Sequence, residues 1–196
     1  MLVVKKFYRD DRTELVSDVF DSLICSSEFH LPFDKIELTI RDTNIALVDN
    51  YNAVVCVDYN NPLVMEKDYR GVKILLMHEL FRLMFKMNLP KIIEDVIIGR
   101  ELIKRGFGDE LFYMYYNCVM KTSPTEDNYI KIRLPWAIFH NYDKYNSEFF
   151  RELASKMCKT RPDARRFLDI LCNLSEKNIK EAVKECKKIG GHYAID

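Results

Sequence analysis

The chain has 196 residues, 48% of them hydrophobic, and its 30 basic and 30 acidic side chains give a formal net charge of zero. That is enough apolar material for one packed domain with a helical extension, and the balanced charge excludes a dedicated nucleic-acid binder or a polybasic membrane protein. No run of about 18 apolar residues exists that could span a bilayer.

The N-terminal stretch MLVVKKFYRDDRTE has neither the long apolar core nor the cleavage site of a signal peptide, so a cytoplasmic location is expected. Cysteines stand at 25, 56, 118, 158, 172 and 186, with no C-x-x-C pair among them, and are expected to be reduced thiols. The even spacing of Cys158, Cys172 and Cys186 is not accompanied by a repeat in the surrounding residues. Twelve basic against eight acidic residues from Lys144 onward make a mild polarity of the kind a solvated helical surface carries.

In chain order, residues 2–8 are apolar and β-branched enough for a short strand or a lead-in to the next helix. Residues 11–29 place Leu15, Val19, Phe20, Leu23 and Ile24 on one helical face, and Pro32 closes that helix. Lys35–Arg41 then alternates Ile36, Leu38 and Ile40 with polar side chains, as a half-buried strand does. Strand-like runs at 44–48 and 52–59 follow, and Asp49, Asn50, Tyr51 and Asn52 between them read as a hairpin connection. Asn60, Asn61 and Pro62 end the strand region.

From about Asp68 on, the pattern is helical throughout. Residues 72–87 are nearly all apolar, which marks a buried helix. Pro90 suits the first turn of the next helix, which runs to about Arg105. Gly106 is the expected C-cap, and Asp109 the expected N-cap of a helix carrying Leu111, Phe112, Tyr115, Tyr116 and Val119. Thr122, Ser123, Pro124 and Thr125 are the expected internal boundary, dividing the chain into 1–122 and 123–196. Further helices are expected from near Glu126, Ser147, Arg161 and Ser175, with Ser147 and Ser175 as N-caps and Gly190-Gly191 at the end. The expected fold class is α+β, with an N-terminal helix and a sheet of three to four strands packed on a pair of helices, followed by a mostly helical C-terminal part.

The segment richest in chemistry is His78-Glu79-Leu80-Phe81-Arg82. In an H-E-x-x-H helix the two histidines lie at i and i+4, share one face and bind one zinc ion, while the glutamate beside the first polarises the metal-bound water. Here the first two positions are present, and Arg82 stands at the second histidine. A guanidinium has five donors and no acceptor, so it cannot ligate a metal. The same helix also permits a plainer arrangement, in which His78, Glu79, Arg82 and Lys86 form one solvated stripe with Glu79 and Arg82 as an exposed i,i+3 pair.

The order of a helix, short strands, the H-E helix and then a helix with acidic residues resembles the zincin metallopeptidases. The likeness is to their gluzincin branch, where the third ligand is a glutamate on the following helix, and more loosely to archaeal proteins with a zincin-like core. It covers roughly residues 10–105. The resemblance implies His78 as first metal ligand, Glu79 as general base, Glu94 or the adjacent Asp95 as third ligand, and residues 54–59 (Val54, Val55, Cys56, Val57 and Asp58 within them) as an edge strand that pairs an extended peptide. With Arg82 in place, it implies instead a zincin frame without its metal, in which Arg82 binds Glu94 or Asp95 by a two-pronged ion pair and the frame binds a peptide or protein partner. No cofactor is then expected, and zinc would be the one if any. Two further readings stand beside it. One is a hydrolase whose metal is held by His78, Glu94 and either Asp95 or a remote histidine (His30, His140 or His192). The other is a helical interaction scaffold, which an exposed apolar patch beyond Pro124 would favour.

Two other features have a packing reading and a binding reading. The aromatic run from Phe112 to Tyr116 is helically spaced, which favours packing between layers over a binding surface. Lys156, Lys159, Arg161, Arg165 and Arg166 are interrupted by Asp163 and Asp169, as on a solvated face rather than a phosphate site.

Overall fold

A computed structural model describes residues 1–26, 29, 31–42, 47–49, 53–121, 129–155 and 162–189. The chain forms two compact units, Met1–Met87 and Asn88–Asp196. It has the mixed α+β character expected, with strands in the first unit and, among the described residues, helices alone in the second.

The first unit opens with strand β1 (Leu2–Lys6) and helix α1 (Asp11–Ile24). Strands β2 (Lys35–Arg41), β3 (Leu47–Asp49) and β4 (Val54–Asp58) follow, and then the short helix α2 (Pro62–Met65) and the long helix α3 (Tyr69–Phe85). The sheet order is β1-β2-β4-β3. β1, β2 and β4 run parallel and β3 is antiparallel to β4. Parallel neighbours need a crossover, which α1 supplies between β1 and β2. The expected hairpin is present as the β3–β4 pair with Asp49 opposite Val54, while its turn residues 50–52 lie outside the described residues, as do 44–46 of the run expected before it. The alternation read in Lys35–Arg41 holds: Ile36, Leu38 and Ile40 are buried, and the register sets Val55 and Val57 beside the last two.

Helix α1 starts where expected and ends earlier, at Ile24. The Asp10 carboxylate accepts the Arg12 and Thr13 amides while the Thr13 hydroxyl accepts the Asp10 amide, a reciprocal cap of the exposed N-terminus. Val16, Val19, Phe20 and Leu23 form its buried face, and it packs against α3.

The second unit comprises α4 (Lys91–Lys104), α5 (Gly108–Met120), α6 (Tyr129–Phe139), α7 (Ser147–Ser155), α8 (Pro162–Cys172) and α9 (Ile179–Ile189). α6 packs against α4, α5, α7 and α8, and α8 against α9. The helices 91–104 and 108–120, read from the sequence as part of the sheet-bearing region, thus belong with the later helices. The boundary expected at 122/123 lies outside the described residues. So do the expected helix starts at Glu126 and Arg161, and the Gly190-Gly191 terminator.

Gly106 ends α4 as expected. At φ +93 it adopts the left-handed turn, its amide reaches the Ile103 carbonyl, and the Phe107 amide reaches Leu102. Asp109 is not the N-cap of α5. Phe107 holds that place without a side-chain bond, and the Asp109 carboxylate binds Lys144 instead. Ser147 is the first helical residue of α7 rather than its cap, and Ser175 lies four residues before α9, in a turn closed by its amide bond to the Asn178 side chain.

Candidate functional site

Helix α3 is set by its start. Asp68 caps it by accepting the Gly71 amide at 3.0 Å, and a Cβ at Gly71 would meet the Leu63 and Asp68 side chains. From there the helix is buried nearly all round, through Val72, Ile74, Leu76, Met77, Leu80, Phe81 and Leu83. Three polar side chains share that burial: His78 is 5% exposed, Glu79 4% and Arg82 5%.

These exposures overturn the solvated stripe. Only Lys86 of the four residues reaches water, at the left-handed C-cap (φ 43), with its ammonium 4.4 Å from the Phe33 ring centre. Charges held this far from water must be matched, because desolvation costs several kcal/mol per ion. Arg82 Nη1 donates to Glu79 Oε2 at 2.6 Å, and the other carboxylate oxygen lies 3.7 Å from His78 Nδ1. The i,i+3 spacing thus produces a buried cluster in which one carboxylate faces a guanidinium on one side and an imidazole on the other.

Zinc of the kind the resemblance implies does not fit these residues. The second helical ligand position carries a cation without lone pairs, and the carboxylate that would act as base is engaged by that cation. Among the described residues, no group of three His, Cys, Asp or Glu side chains is arranged to hold a metal ion.

Glu94 and Asp95 stand on α4, in the second unit. Glu94 is buried, and its Oε1 accepts the Leu89 amide at 3.1 Å, closing a helix start whose N-cap Pro90 offers no side-chain bond. Of the expected site residues, then, the structure gathers His78, Glu79 and Arg82 on one helix and gives Glu94 a capping bond within its own unit.

Val54, Val55, Cys56, Val57 and Asp58 do not form an edge strand. They make β4, which lies between β2 and β3, and Val54–Cys56 is paired on both sides. The expectation failed because the run before the hairpin crosses to the outside, so β3 takes the edge and the second hairpin strand is enclosed. A cleft of about 600 Å³ lies by the start of β2 and β4, between Lys6, Phe33, Lys35 and Glu37, and His78, Glu79 and Arg82 take no part in its lining.

Among the remaining candidates, His30 and His192 lie outside the described residues, as do Lys156, Lys159 and Arg161. Arg165 and Arg166 are exposed, as a solvated face requires. The aromatic run packs: Phe112 stacks on Tyr145 at 5.6 Å and meets Phe139 and Phe150 edge-on, while Tyr116 at its end stays 41% exposed. Among the described residues, the exposed large apolar side chains all precede Pro124, so the patch that would favour a helical scaffold is not found there. No helix among them is long and apolar enough to cross a membrane. Sequence reasoning passed over Arg100, a half-buried cation on α4 whose guanidinium reaches four backbone carbonyls. One basic residue inside an apolar helix was the available signal.

No protein family, curated protein or solved structure matches this chain.

Proposed function

We propose that the first unit is a zincin-type frame in which an internal ion pair stands where the metal site would be, and that it binds an extended peptide or protein segment without cleaving it. The observation that carries this reading is the buried contact of Arg82 with Glu79 beside His78. It occupies the helix face on which the zincin resemblance requires two ligands and a free base. The order of elements, with a helix and short strands leading to the H-E helix, supports the same frame. Since β4 is enclosed, an added strand would pair with β3, the outermost strand on that side. Arg82 joins Glu79 by a charge-assisted hydrogen bond where a zincin helix would hold its metal.

The test is elemental analysis of the natural chain and of Arg82→His, each incubated with zinc and desalted. The reading predicts about one zinc per chain for Arg82→His and none for the natural chain. One zinc in the natural chain, together with peptide hydrolysis abolished in Glu79→Gln, would replace it with a hydrolase of unusual ligand set. No zinc in either protein would remove the zincin frame.

A further inference from the structure

Two helix ends of the second unit are gathered by one guanidinium carried on a third helix, α4. Arg100 donates to the carbonyls of Leu171, Cys172 and Leu174 at and just beyond the end of α8, and to Ala137 in the last turn of α6, all between 2.7 and 3.0 Å. Carbonyls at helix C-termini carry partial negative charge, so a cation is stabilised there. The guanidinium has no carboxylate partner among the described residues, and its Nε is buried without a hydrogen bond.

His140 follows directly on α6, three residues after Ala137. Its amide continues the helix to the Trp136 carbonyl, its ring lies 6.0 Å from the Trp136 ring, and its Nδ1 is buried without a hydrogen bond. Arg100 already donates to the Ala137 carbonyl at this helix end, and His140 Nδ1 has no hydrogen-bond partner there. We propose that His140 is a pH-sensitive element of the second unit, whose protonation sets a second positive charge beside Arg100 and loosens the join of α4, α6 and α8.

The charged groups that bear on His140 from the packed helices are Arg100 on α4 and Glu148 on α7. Burial first, and then Arg100, hold the imidazole below its ordinary value of 6.5, while Glu148 opposes them weakly. Glu148 is half exposed and shares its charge with Arg151 at 2.7 Å. The folded protein therefore keeps His140 neutral where the unfolded chain already takes up a proton. Stability is full above the ordinary histidine value and is lost progressively as pH falls toward the folded one. This element lies outside the His78 cluster and stands whether or not that cluster belongs to a zincin frame.

The test is thermal unfolding of the full chain between pH 7.5 and 5, beside His140→Gln, with the imidazole resonances followed by NMR over the same range. The natural chain is expected to lose about 3 °C more than His140→Gln across that interval, and the His140 ring to titrate below 6.5. Glu148→Gln moves that titration lower still. Equal losses in the two proteins, or a His140 that titrates at or above the ordinary value, would overturn the proposal. The ring titration in the natural chain decides the matter even if His140→Gln does not fold.

Discussion

Arg82 and Glu79 each depend on the other, because neither has enough water around it to stand alone. Removing one member of a buried pair leaves the other charged and unmatched, which costs far more than the pair itself contributes. Arg82→Met is therefore expected to destabilise the protein by about 3–5 kcal/mol in urea unfolding. The double variant Glu79→Gln, Arg82→Met should lose clearly less than the single one, because the carboxylate that Arg82 matched is then neutral as well. Equal losses would mean that the two side chains do not act as a pair. The sequence displayed the identity and spacing of these residues but not their burial. A polar stripe at i, i+1 and i+4 looks the same whether it faces water or other buried groups, and charged side chains are rarely buried. What separates the two cases is the apolar packing around the rest of α3, which only the assembled fold supplies.

At the scale of elements, helices were the more legible because their signals are local. The apolar face of α1 and the Gly106 terminator follow from neighbours within a few residues, whereas the Asp10 cap, equally local, was not read. Caps failed where a better partner lay farther along the chain, as with Asp109, which binds Lys144. Strand identity was equally local, as the alternation in Lys35–Arg41 shows, whereas strand order was not. Whether β3 or β4 lies outermost depends on which one pairs with β2, and both runs are short and apolar. One close approach between elements makes a direct prediction. At Gly99 on α4 an added Cβ would lie 2.9 Å from Ile138 on α6, so α4 and α6 meet there with no room to spare. Gly99→Ala, which elsewhere in a helix would help, is expected to cost about 1–3 kcal/mol. A paired Ile138→Val should recover part of that loss in chemical denaturation.

For the whole molecule, the division after Met87 leaves α3 with the sheet and opens the second unit at α4, and the sequence concealed it because the pattern is helical on both sides and Pro90 reads as an ordinary helix boundary. Both units carry carboxylates that folding makes more acidic. The Thr13 amide, the Tyr59 hydroxyl and the Arg12 amide hold Asp10 at about 2. Asp11 is lowered by Lys67, Glu37 by Lys6, and Glu185 by Lys188. Such groups stabilise the folded state above their ordinary values near 3.8–4.5, and that contribution is lost as pH falls through the folded values. Acid unfolding should therefore begin below about pH 4.5, distinct from the histidine effect at higher pH. Asp10→Asn should flatten the part of the curve between about pH 4 and pH 2, followed by circular dichroism. An unchanged curve would show that folding does not make Asp10 more acidic.

The buried cation at position 82 has one property that no ion could share: it is joined to the chain by covalent bonds and so has no dissociation constant. A bound ion stabilises its protein by an amount that grows with the logarithm of its free concentration, and copies made in its absence go without. A side chain arrives with synthesis in every copy, in equal number with the carboxylate it meets. The Arg82–Glu79 contact is therefore completed by translation alone, and its make-up does not vary with the supply of any ion.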